Sequence, residues 1–159
     1  MLSIRCSLPC VLLMSACGGT STPVSPPAVA KAAKGVEITL TNVEIAQSIG
    51  TMGLVPAAPE GATYVHATYT LKNTGKGALG FEKWPQGRLV DPTGNKFEPE
   101  IYSSTALSAA ANVSWAESLN PNSTTEGHLV WKVDAKSFDR AKWKIVFQSV
   151  PPLTFSLQP

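Results

Sequence analysis

Cysteine is what this sequence runs out of first. All three cysteines, Cys6, Cys10 and Cys17, fall within the first 17 of 159 residues. The remainder can form neither an internal disulfide nor a cysteine-based metal cluster. Charged residues are scarce too, at 15%, and the net charge is only +2. A nucleic-acid-binding domain shows clustered Lys and Arg on a strongly basic background, so nucleic acid is not an expected partner. No apolar run approaches the roughly 20 residues that a membrane-spanning helix needs. Phosphate-binding loops, nucleophile elbows, zinc-protease helices and Ser-x-x-Lys elements are all missing. These gaps point away from an enzyme, and neither a cofactor nor a metal centre is expected.

What is present begins at the N-terminus. Residues 1–16 read as an export signal, with Arg5 as a weakly positive start and Cys6 to Met14 as an apolar stretch of the usual roughly 7–15 residues. The run Leu13-Met14-Ser15-Ala16-Cys17 resembles a bacterial lipobox, in which small residues admit the peptidase and the cysteine takes a diacylglycerol. Cys17 is therefore the expected lipidation site, and membrane lipid the expected first partner. Several acyl chains would make that anchor effectively permanent. The expected location is the extracytoplasmic side of a bacterial cell envelope; Gly18, where an aspartate would signal inner-membrane retention, favours the outer membrane if the cell has one. Residues 17–35 are rich in Gly, Ser, Thr, Pro and Ala and carry no acid. They read as a flexible tether.

From residue 36 to 159 the pattern changes to alternation of period two, the signature of half-buried strands. Val36, Ile38 and Leu40 share one face, and then the phase slips to Val43 and Ile45. A one-residue slip exchanges the two faces, so a bulge is expected near Thr41-Asn42. Val65, Ala67, Tyr69 and Leu71 alternate with His66, Thr68, Thr70 and Lys72, and Gly127, Leu129, Trp131 and Val133 alternate with His128, Val130 and Lys132. ALGF and RLV are shorter strand candidates, Trp143 to Phe147 and Leu153 to Leu157 repeat the alternation, and Asp91-Pro92-Thr93-Gly94 is a strong turn. Ser103–Ala111 suits a short helix or an irregular crossover. About seven to nine short strands in this length are best satisfied by two sheets facing each other over one core.

The order of these features resembles the telokin-like, immunoglobulin-like domain of unknown function found in bacterial lipoproteins. The resemblance is carried by the first strand (Val36–Val43), by YVHATYTLKNTG (Tyr64–Gly75), by LVDPTGNKF (Leu89–Phe97) and by LNPNSTTEGHLVWKV (Leu119–Val133). In the last stretch Asn120-Pro121-Asn122 stands where the family usually has Pro-Gly. The resemblance implies an antiparallel, immunoglobulin-like β-sandwich over about 36–157. It implies no activity.

Few residues invite chemistry. His66 and His128 fall on outward strand faces, where with Met52 they are candidate ligands for a soft metal ion, although solvated strand histidines are the commoner case. Glu98 with Glu100, and Asp134 with Asp139, are candidate acid/base pairs, against turn-capping or solvation as the plainer reading. The loop from Ala46 to Thr63 is long for a compact domain and carries Ile49, Met52, Leu54 and Val55. It is expected either to fold over an open end of the sandwich or to form an apolar binding lip. Trp84, in Phe81-Glu82-Lys83-Trp84-Pro85, is either core packing or an anchor for a partner. Met52, Leu54 and Trp84 are thus the speculative partner contacts. The expected function is a non-catalytic interaction module, tethered to the membrane and binding an unknown protein or glycan of the envelope. A structural spacer or accessory subunit is the alternative, and a metal carrier or unfamiliar enzyme comes behind it.

Overall fold

The computed structural model describes residues 29–50, 54–113 and 118–158. Eight antiparallel strands form two four-stranded sheets. The first contains β1 (Val29–Ala33), β2 (Val36–Ala46), β3 (Ala62–Asn73) and β6 (Thr124–Asp134), in the order β1-β2-β3-β6. The second contains β4 (Gly87–Val90), β5 (Lys96–Phe97), β7 (Lys144–Phe147) and β8 (Leu153–Ser156), in the order β5-β4-β7-β8. A helix, α1 (Ile101–Ala110), connects β5 to β6. The all-β sandwich expected from the alternation is what forms.

The two inner faces are the apolar halves of the alternating runs. Ile38, Leu40, Val65, Leu71, Leu89, Trp131, Ile145, Phe147 and Phe155 are all at most 2% exposed and belong to one core. With no disulfide available to it, this part of the chain relies on aromatic area, about 150–250 Å² per buried ring. The edge-to-face contacts of Phe147 with Tyr69 and Phe155, at 5.0 and 5.7 Å between centroids, run through the middle of that core. The slip in β2 is a register shift between Leu40 and Asn42 against β3, as the phase change requires.

Three expectations change. The sandwich begins at Val29 rather than 36, because β1 pairs with β2 from Val29↔Leu40 to Ala33↔Val36 inside the expected tether. VAKAA has little intrinsic strand preference, and the edge of β2 imposes the extended form. ALGF yields one isolated bridge, Leu79↔Leu119, and then a 3-10 turn at Phe81–Lys83. The Ala46–Thr63 loop covers a sheet face, not an open end. Its Ile49 and Val55 form a second core with Tyr64 and Val130 of the first sheet and Leu107 of α1.

The helix explains how that second core closes. β6 is an edge strand, and edge backbone groups need partners. Val130 N donates to Ser104 Oγ at 3.0 Å, and Glu100 N donates to Val130 O at 2.6 Å. Ser108 Oγ turns back to Ser104 O at 2.8 Å. Small serines let the helix approach closely enough for these bonds. Gly50 is left-handed, with φ +76°, and a Cβ there would lie 2.8 Å from Leu107 Cδ2, so the loop meets the helix where only glycine fits.

The Asn-Thr-Gly end of β3 has a structural task. Asn73 is 1% exposed; its Nδ2 donates to Gly77 O and Leu119 O, both at 2.8 Å, and its Oδ1 accepts from Gly75 N at 2.9 Å. One side chain thus fixes the turn and ties it to the Leu119 segment.

Candidate functional site

The two histidines come together. His66 on β3 and His128 on β6 sit diagonally across the pairing Thr68↔His128 and His66↔Val130. Their rings stack with centroids 5.4 Å apart, and His66 Nε2 lies 3.1 Å from His128 Nδ1. Each is 8% exposed, so the expectation of solvated strand histidines is wrong. The second core built by α1 and the 46–61 loop lies on the same outer face of the first sheet, and the histidines are shielded with it.

Their outer nitrogens point toward carboxylates. His66 Nδ1 is 3.5 Å from Glu44 Oε2, and His128 Nε2 is 3.2 Å from Glu126 Oε1, but neither is aligned as a hydrogen bond. In the neutral pair one proton lies between the rings and one remains for the two outer positions. One carboxylate then faces a bare nitrogen. A single added proton would supply both outer donors. Burial opposes this and is the larger effect: it pulls His66 down to about 4, helped by the neighbouring His128 and opposed by Glu126. His128 is lowered as well, chiefly by burial.

The pair makes a poor metal site. Two imidazoles fall short of the three or four protein ligands that a tetrahedral zinc takes. Among the described residues no group of three or more His, Cys, Asp or Glu is placed to hold a metal ion. Met52, the imagined third ligand, lies outside the described residues, as does Cys17.

The candidate carboxylate pairs resolve into structural contacts. Glu98 Oε1 meets Arg88 Nε at 2.5 Å, and Glu100 Oε1 meets Lys132 Nζ at 2.6 Å. Asp134 Oδ1 accepts from Lys136 N and Ser137 N at 2.8 and 2.9 Å, and Asp139 accepts from Ala141 N at 2.9 Å. These are turn caps and surface pairs.

A recess lies at the other side of β6, where the two sheets part. It has a volume of about 720 Å³ and is lined by Tyr69, Phe81, Trp84, Pro85, Ile101 and Leu129, with Glu82 and Glu98 among its polar residues. Gly127 makes room for Tyr69, since a Cβ there would lie 2.4 Å from the ring. Burial raises the Tyr69 phenol to about 12, so it stays protonated. Trp84 is 8% exposed, its Nε1 donating to Leu79 O at 3.4 Å. Of its two expected readings, core packing is the one that forms, and the projecting anchor is set aside: Trp84 belongs to the core and forms part of the cleft wall. The exposed aromatic of the 3-10 turn is Phe81, at 47%, 5.3 Å edge-on to Trp84.

Two cleft-side residues were missed in the sequence. Ile101 and Tyr102, in the first turn of α1, are 82% and 71% exposed, while Ser103, Ser104 and Ser108 are buried. Leu107 packs inward as usual, but the first turn shows apolar residues to solvent while the serines are buried, the inverse of the usual arrangement. The signal that could have found it is the absence of a helical apolar stripe in IYSSTALSAA. Leu54, on the covering loop, is 40% exposed and remains available for contact.

Fold and recess together define a class: an antiparallel β-sandwich domain with an apolar edge cleft. Residues 30–150 match the family described as Domain of unknown function (DUF4352), and the chain belongs to that family. It is 30% identical over 116 residues to the uncharacterized protein YxkC of Bacillus subtilis (strain 168), a match spanning 71% of this chain and 64% of that one. Among solved structures it is similar to a conserved hypothetical protein from Bacillus anthracis, at TM-score 0.70 and 15% identity, covering 80% of this chain and 91% of that one. An uncharacterized beta-sandwich protein from Clostridium difficile 630 matches at TM-score 0.50 and 15% identity, over 76% of this chain and 83% of that one. At such identities these structures carry the fold alone.

Proposed function

We propose that this protein is a lipid-anchored lipoprotein of the bacterial envelope. Its telokin-like, immunoglobulin-like sandwich is a non-catalytic binding module whose edge cleft takes an apolar segment of a protein partner. Support for the anchor comes from Leu13 to Cys17, from the tether-like composition that follows, and from the absence of any later thiol to compete for a redox role.

The observation that carries the binding role is the exposure of Phe81, Ile101 and Tyr102 beside a cleft walled by Trp84, Pro85 and Leu129. Clustered exposed apolar side chains mark interaction sites, and aromatic-lined grooves suit peptide segments better than sugars, whose hydroxyls need an array of polar partners. Tethering raises the effective concentration of such a module near the membrane.

Two measurements test the two halves. Labelled palmitate is expected in the wild-type protein and absent from Cys17→Ser; labelling that persists removes the anchor. A photo-crosslinking side chain at Ile101 is expected to give one defined adduct in cells, and the same probe at Thr93, on the β4–β5 turn, none. Equal patterns from both positions, or no adduct from Ile101, would remove the cleft as the binding site.

A further inference from the structure

Among the described residues, the outer face of the second sheet is cationic and uncovered. Lys96, Val90 and Lys144 lie in register across β5, β4 and β7, and Arg88, Val146 and Thr154 across β4, β7 and β8. These two rows line a shallow concavity of about 690 Å³. At its rim Val150 is 80% exposed, next to the exposed Pro152. β1 and the residue after it run along the β8 edge of this face, where Lys31 Nζ also lies 5.2 Å over the Phe155 ring. Lys31 Nζ donates to Thr154 O, and Lys34 N donates to Val150 O at 3.5 Å. Arg88 is held by Glu98 at 2.5 Å. Among the described residues Lys34, Lys96 and Lys144 make no ion pair.

We propose that this face is a docking surface for the anionic phospholipid headgroups of the membrane that holds the chain, an inference that rests on the lipid-anchor reading. Charge complementarity is the first argument. The second is the path of the chain: residues 18–28 join Cys17 to β1, whose Lys31 reaches Thr154 O at the edge of the patch. At about 3 Å per residue that link spans at most a few tens of Å, so the tether enters the domain beside this face. The third is the rim. Val150 and Pro152 are apolar tips that can sit at headgroup level while the lysine stems lie along the surface.

Each cation at an anionic surface strengthens attachment about fivefold. A handful of them holds weakly in free solution but suffices for a domain already confined by its tether. The cleft beside Ile101 shares no lining residue with this concavity. Docking through the second sheet leaves it clear for a partner.

The test uses residues 17–159 carrying Cys17→Ser, which contain every described residue but no acyl chain, sedimented with vesicles at about 50 mM salt. Vesicles of equal phosphatidylglycerol and phosphatidylcholine are expected to carry the protein down, and pure phosphatidylcholine vesicles to leave it in solution. Lys96→Gln with Lys144→Gln is expected to weaken binding on the order of thirtyfold, and 0.5 M salt to abolish it. Lys72→Gln with Lys136→Gln, off this face, should leave it within about twofold. No binding to the anionic vesicles, or equal weakening by both pairs, overturns the proposal. So does binding to soluble poly(glycerol phosphate) without binding to vesicles. Because this protein is unacylated, these outcomes are independent of the palmitate result on Cys17.

Discussion

The outer faces of the two sheets are built from the same alternating pattern and end in opposite states. On the first, Ile49, Val55 and Leu107 pack with Tyr64 and Val130 and turn a sheet surface into a second core, and His66 and His128 on the same face are buried. On the second, none of the described residues covers the rows of Arg88, Lys96 and Lys144. The difference lies in the connections. β4 joins β5 through a tight turn capped by Asp91, whose Oδ1 accepts from Thr93 N and Asn95 N, both at 2.9 Å. β2 joins β3 through a loop long enough to fold back, and β5 joins β6 through a helix. A polar strand face becomes interior or interface according to what the neighbouring connections can reach.

The largest effect should come from placing the same charge on both faces. Val130→Asp puts a carboxylate where the native side chain is 0% exposed. We expect a loss of at least about 3 kcal/mol, since a buried unpaired charge is among the costliest changes known. Val146→Asp, half-buried on the open face, should cost about 1 kcal/mol or less. Urea midpoints of the two variants measure the contrast; equal losses would mean that α1 and the loop do not shield the first sheet.

Acid should act through the covered face next. His66 is held at about 4 when folded against an ordinary value near 6.5. Between these values the unfolded chain binds more protons, so stability falls as pH drops from about 6.5 towards 4, by on the order of 2–3 kcal/mol. It is fully retained above about 6.5. Measured from pH 6.5 to 5, where few carboxylates titrate, the urea midpoint should decline in the wild type and flatten in His66→Gln with His128→Gln. The same slope in both would locate the acid sensitivity elsewhere.

Ser104→Ala should be smaller again. It leaves Val130 N without its acceptor, at about 1–2 kcal/mol, and amide exchange should quicken at Val130 before it does at Trp131. Last is Ile101→Ser. A side chain 82% exposed should change stability by less than about 0.5 kcal/mol while removing the crosslink to a partner. A large loss of stability would show Ile101 to be part of the fold rather than its contact surface.

Much of this was legible in the residues. Period-two alternation placed β2, β3, β6, β7 and β8, and the phase slip located the bulge at Leu40/Asn42, because the pleat ties side-chain parity to face. The site was far less legible. His66 and His128 carry the polar parity of their strands, and parity does not say whether a helix from elsewhere will cover that side. Trp84 and Phe81 lie three residues apart in one 3-10 turn, and only the turn's direction sends the larger ring inward and the smaller outward. β1 was invisible because alanine has little strand preference, and its conformation is supplied by the edge of β2.

The sequence by itself determined the sandwich, its core side chains, the turn chemistry at Asn73 and Asp91, and the confinement of every thiol to the first 17 residues. These follow from short-range rules: alternation selects a face, and Asn, Asp and Gly select a turn. Tertiary structure alone decided that one outer face would be roofed and the other left open, that two histidines would share a hydrogen bond, and that a helix would bury serines and show isoleucine. Each of those depends on segments tens of residues apart meeting in space, and a local pattern carries no record of that meeting.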